Sequence, residues 1–112
     1  MRPSSSDEAN FASVWSYRIS SETAQEFIQL YGSDGAWVGL FRRAEGYLGT
    51  CLYRDSSDKD RYLTIDRWES EGAYRSFRRE GGEEFEYLDR GGEELTLEEV
   101  SLGEFLLIDA GD

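Results

Sequence analysis

Arg61-Tyr62-Leu63-Thr64-Ile65-Asp66-Arg67-Trp68 runs directly into Glu69-Ser70-Glu71-Gly72-Ala73-Tyr74-Arg75-Ser76-Phe77, and across that junction the apolar period changes from two to helical. The first part is β-branched and aromatic and alternates, so Tyr62, Thr64, Asp66 and Trp68 share one face of a strand. In the second part Ser70 can accept a free amide of a first helical turn, and Ala73, Tyr74 and Phe77 fall on one helical face. Arg75, Arg78 and Arg79 then face water, and Gly81-Gly82 breaks the helix.

Toward the N-terminus, the polar run Asp55 to Asp60 predicts a hairpin loop between this strand and another over Gly46–Arg54. A first strand is predicted over Val14–Ile19, with Trp15, Tyr17 and Ile19 on one face and Val14, Ser16 and Arg18 on the other. A helix follows, capped by Ser20 or Ser21, with Ala24, Phe27, Ile28 and Tyr31 as its buried stripe and Gly32 as its stop. A short helical piece then carries Trp37, Leu40 and Phe41 inward, with Arg42 and Arg43 near its C-terminal end. Toward the C-terminus, a short helical turn around Phe85 and Leu88 ends at Gly91-Gly92. Thr96 to Ile108 is predicted as a long final strand or strand pair, with a bend at Gly103. The order strand, helix, strand, strand, helix, strand is that of an α+β, ferredoxin-like βαββαβ domain. Residues 1–10 read as a disordered tail and 11–112 as one domain. One face of such a sheet stays open, and an apolar open face predicts a homodimer.

Acidic residues number 24 against 12 basic ones, a formal net charge of -12. That balance repels phosphate backbones and anionic lipid surfaces, so neither nucleic acid nor a membrane is expected as a partner. The acidic run from Glu83 to Glu99, opposed only by Arg90, reads as a solvated face. Cys51 is the single cysteine, which excludes an internal disulfide and fits a reducing, cytoplasmic location. No leader and no apolar stretch of membrane-spanning length is evident.

Gly46-Tyr47-Leu48 at the opening of strand two and Trp68-Glu69-Ser70-Glu71-Gly72-Ala73-Tyr74 after strand three, in this element order from about residue 12 to 108, resemble the antibiotic-biosynthesis-monooxygenase family. The resemblance implies ferredoxin-like homodimers whose two sheets meet in a barrel. Some relatives oxygenate aromatic polyketides without metal or flavin, others cleave haem, and many have no known activity. It implies that Trp68 and Tyr74 line a cleft between sheet and helices, and that Thr64 stands where the oxygenases carry a side-chain amide. The haem cleavers use a strand-one Asn and a helix His. Here Ser16 stands in strand one and no histidine exists, which argues against that route.

Cofactor-free oxygenation needs a substrate that forms a stabilised carbanion, and a protein that takes a proton, holds the anion and excludes water. On that reading no cofactor and no metal is expected. Trp68 would stack on a planar substrate, Tyr74 and Thr64 would hydrogen-bond it, and Asp66, if buried, would be the base. Arg18 or Arg67 would stabilise the anion, although Arg67 alternates onto the face opposite Trp68. The plainer reading of Trp68 and Tyr74 is as core aromatics, and that of Cys51 is an inert thiol. Asp55 to Asp66 imitates a calcium loop, but Asp60 occupies its obligatory glycine place. Two alternatives to an oxygenase stay open. One is a non-catalytic homodimer holding a small hydrophobic or aromatic ligand; the other is a structural role, should large side chains fill the cleft.

Overall fold

In a computed structural model, which describes residues 9–111, the elements are β1 (Phe11–Arg18), α1 (Ala24–Tyr31), α2 (Ala36–Phe41), β2 (Tyr47–Arg54), β3 (Arg61–Trp68), α3 (Glu71–Glu80), α4 (Gly82–Leu95) and β4 (Glu98–Leu106). They make one antiparallel sheet in the order β2-β3-β1-β4 with the helices on one face, which is the ferredoxin-like α+β arrangement. Residues 1–8 of the expected tail lie outside the described residues. From Asn10 the chain is already paired, its carbonyl accepting from the Leu107 amide at 2.8 Å.

β3 has the bounds that its alternation predicts, and Ser70 caps α3 by accepting from the Ala73 amide at 3.1 Å. Gly82, at φ 57, makes the left-handed step that separates α3 from α4. Near the C-terminus, Gly103 at φ 131 sits beside an extra residue in β4, where the register against β1 shifts between Val14 and Trp15.

Four expectations are corrected. β1 begins at Phe11 rather than Val14, because Phe11 pairs with both Trp68 and Leu106 and is buried between them. α1 starts at Ala24 without a side-chain cap: the Ser20 hydroxyl accepts from the Glu22 amide one turn too early. Its inward stripe passes through Leu30 instead of Ile28, which is 44% exposed. The fourth concerns α4, which does not stop at Gly91-Gly92 but runs on to Leu95. Gly92 is buried there, and a Cβ on it would overlap the Tyr31 hydroxyl, so glycine is what lets α4 approach α1.

Directly opposed residues sort the sheet into rows. On the helix side lie Tyr47–Trp68–Phe11–Leu106, Thr50–Asp66–Ser13–Glu104, Leu52–Thr64–Trp15–Ser101 and Arg54–Tyr62–Tyr17–Glu99. On the other side lie Arg67–Ala12–Phe105, Cys51–Ile65–Val14–Gly103 and Tyr53–Leu63–Ser16–Val100. Val100, Phe105 and Tyr53 are among the exposed large hydrophobic residues of this uncovered face.

Candidate functional site

The helix-side rows explain why a cavity exists. The outer rows carry large rings: Phe11 and Trp68 at one end, Tyr17 and Tyr62 at the other. The rows between them carry Ser13, Thr50 and Thr64, whose side chains are too short to fill the gap beneath the helices. What remains is a space of about 210 Å³ with Ser13, Trp15, Thr50, Thr64 and Asp66 as its floor. Its roof and walls are mostly aromatic, with Tyr31, Trp37, Phe41, Tyr74, Phe77 and Phe85 coming from all four helices. Ring centroids 4.5 to 6.2 Å apart pack these side chains against one another, as in Phe27–Tyr31 (4.5 Å) and Tyr31–Trp37 (6.2 Å).

Thr64, Asp66 and Tyr74 all reach this space. Trp68 does not. It is fully buried at the end of β3, edge-on to Phe41, Tyr47 and Tyr74 and tilted against Phe77, with its indole N–H unpaired. The resemblance carries Trp68 into the cleft, whereas the packing makes it the wall behind Tyr74.

Asp66 keeps a partial opening to the cavity while lying deep beneath the helices. Burial pushes its carboxyl up to about 6, although the hydrogen bond from Thr50 Oγ1 to Oδ1 (2.8 Å) favours the charged form. Among the described residues no donor reaches Oδ2. The Tyr17 hydroxyl lies 3.2 Å from Thr64 Oγ1, and burial drives both Tyr17 and Tyr31 upward, so these phenols stay neutral.

Sequence reasoning missed three groups. Arg78 remains exposed along much of its length, yet its guanidinium folds back over Phe85 (4.6 Å) and Nη1 donates to the Tyr74 hydroxyl at 2.8 Å. It is the cation at the cavity wall, a place that neither Arg18 nor Arg67 occupies. Because Tyr74 accepts from Arg78, its own proton is free for a ligand. Asp89 and Glu99 also line the wall, so the acidic run is not wholly a solvated face. Glu99 is raised by burial and then by Asp89 and Glu93. The helical period could have placed Arg78 beside Tyr74, one turn away; nothing local marks Glu99. Among the described residues no group of three or more His, Cys, Asp or Glu side chains is placed to hold a metal ion.

A sequence model of the antibiotic biosynthesis monooxygenase family matches residues 11–86. Among solved structures the chain is similar to SnoaB, a cofactor-independent oxygenase from Streptomyces nogalater, at TM-score 0.72 and 18% identity over 91% of this chain and 96% of that one. It is similar also to Rv0793 from Mycobacterium tuberculosis (TM-score 0.72, 14% identity, 93% and 100% covered) and to a conserved protein from Methanosarcina mazei (0.68, 17%, 88% and 92%). No curated protein matches it significantly. The family match spans most of the sheet and three of the helices, and on it the chain belongs to the antibiotic biosynthesis monooxygenase family.

Proposed function

We propose that the cavity is the active site of a cofactor-independent monooxygenase acting on a small aromatic compound with an acidic phenol or benzylic position. The observation that carries this reading is Asp66, whose carboxyl, pushed up to about 6, stands on the floor of an aromatic-lined space. Such a group is ionised at neutral pH yet basic enough to take a proton from a bound phenol. Tyr74 donates to the substrate oxygen, and Arg78 behind it offsets the charge that develops there. The electron-rich anion passes one electron to dioxygen, and the two radicals combine at carbon as a peroxide. The peroxide takes back the proton held by Asp66; loss of the hydrogen left on that carbon, as a proton, with cleavage of the O–O bond then leaves a carbonyl and water, so the substrate supplies every electron.

Cavity size narrows the substrate. An engineered cavity of about 150 Å³ accommodates benzene, so about 210 Å³ fits one ring or two fused rings better than a four-ring polyketide. The working unit in this proposal is a homodimer, because the uncovered sheet face exposes Val100, Phe105 and Tyr53. A reducing cytoplasm suits the single Cys51. Among the described residues no helix is long and apolar enough to cross a membrane.

The test is incubation with a panel of one- and two-ring phenols under isotopically heavy dioxygen, followed by mass analysis. The expected result is a product that gains one labelled oxygen and loses two hydrogens. Asp66→Asn should lower kcat at least 100-fold with little change in KM, as expected for a general base. Tight binding of the same phenols without product would replace the oxygenase with a ligand-holding protein. Thr64, which stands in place of an amide, favours that second reading.

A further inference from the structure

A row of hydroxyls runs outward from Asp66 to the edge of the sheet. Tyr47 Oη lies 2.6 Å from Thr50 Oγ1, which lies 2.8 Å from Asp66 Oδ1. A carboxylate only accepts, so Thr50 gives its one hydroxyl proton to Asp66. Only Tyr47 can then donate in the Tyr47–Thr50 bond, and both protons point toward the carboxylate. Thr50 lines the cavity, whereas Tyr47 stands outside it, its ring held by Phe41 and Trp68 at 5.3 Å each. Tyr47 therefore acts on the site through Thr50.

We propose that Thr50 and Tyr47 are positioning residues that tie Asp66 Oδ1 and leave Oδ2 as the one oxygen offered to the ligand. This rests on the reading of Asp66 as the proton acceptor and adds which of its oxygens does the work. Hydrogen bonds to the charged form oppose the burial that would otherwise keep the carboxyl protonated. Without the pair, burial would be less opposed and a larger share of Asp66 would hold a proton at neutral pH.

The other groups around the cavity do not supply this control. Tyr17 from β1, Tyr31 from α1 and Tyr74 from α3 face the cavity as phenols. Arg78 from α3, Asp89 from α4 and Glu99 from β4 are the remaining ionisable side chains on the wall, and Arg42 and Arg67 lie near Tyr47. None of these donates a hydrogen bond to Asp66, and none is altered by the substitutions below.

The experiment follows the Asp66 side-chain carbon through a pH titration by NMR, with the resonance assigned by its loss in Asp66→Asn. Thr50→Val preserves shape and strand propensity, and Tyr47→Phe preserves the ring. The expected result is a midpoint raised by roughly one pH unit in Thr50→Val and by a smaller step in the same direction in Tyr47→Phe. Thr50→Ser, which restores the hydroxyl, should titrate like the parent. A role confined to packing would lower the melting temperature and leave all midpoints alone, and unchanged midpoints in both hydroxyl-deleted variants overturn the proposal. The titration needs no substrate. Shifted midpoints in a protein that oxidises no phenol would therefore uphold the positioning pair and defeat the oxygenase reading, and phenol oxidation with unshifted midpoints would do the reverse.

Discussion

A carboxyl that is raised in the folded state works against the usual direction of acid stability. Asp66 moves from an ordinary 3.8 to about 6 because burial costs its charge more than the Thr50 bond returns. Between those values the folded chain holds a proton that the unfolded chain has lost, so stability rises as pH falls through this window and declines as pH climbs through it. Above the window the penalty is on the order of 2 to 3 kcal/mol. Asp55 and Asp58, lowered first by backbone amides and then by Arg61 and Arg18, lose their contributions only below their ordinary range, outside this window. Asp66→Asn should therefore be more stable than the parent at pH 8 by about 1 to 3 kcal/mol, with the gain vanishing near pH 4. Urea unfolding at both pH values checks this, and an equal midpoint at pH 8 would show that Asp66 is effectively solvated.

At the scale of elements, α4 shows how packing overrides propensity. Two adjacent glycines cost a helix about 1 kcal/mol each relative to alanine, and on that account Gly91-Gly92 reads as a stop. The helix persists because Gly92 meets the Tyr31 hydroxyl, and Tyr31 is held among Tyr17, Phe27 and Trp37. The two positions should respond oppositely. Gly91 has open space beyond it, so Gly91→Ala should stabilise by about 0.5 to 1 kcal/mol. Gly92→Ala gains the same propensity but forces a locked ring aside, and overpacking of about 1 to 3 kcal/mol should win. Thermal melts of the two variants should therefore move in opposite directions. A stabilised Gly92→Ala would mean that Tyr31 is free to swing into the cavity.

For the whole molecule, the uncovered sheet face and the net charge of -12 oppose each other. Pairing two copies through Val14, Ile65, Val100 and Phe105 buries apolar surface while bringing two strongly acidic bodies together. Screening weakens the repulsion and leaves the apolar contact intact, so association should strengthen with salt. Light scattering should give twice the 12.8 kDa chain mass at 0.5 M salt and a lower average in dilute buffer. Ile65→Lys, in the middle of the face, should keep the protein at the chain mass under both conditions. A dimer that survives that substitution would have to use another surface.

Much of the fold was legible because the signals that specify it are local. Alternation over Arg61–Trp68, the Ser70 cap and the Gly81-Gly82 break each depend on neighbours a few residues away, and their order along the chain dictates βαββαβ. Placing Thr64, Asp66 and Trp68 on one strand face needed no more than the period of two. Only the tertiary structure decided which of them meets a ligand. The cavity arises because cross-strand register sets Ser13 and Thr50 on either side of Asp66, in the row next to Thr64, and register joins residues far apart in the chain, such as Ser13 and Asp66. The same register brings Tyr47, Thr50 and Asp66 into one hydrogen-bonded row, while helix packing sinks Trp68 into the core and folds Arg78 back over Phe85. Elements follow from short-range periodicity; the chemistry of the site follows from long-range juxtaposition, which no local pattern encodes.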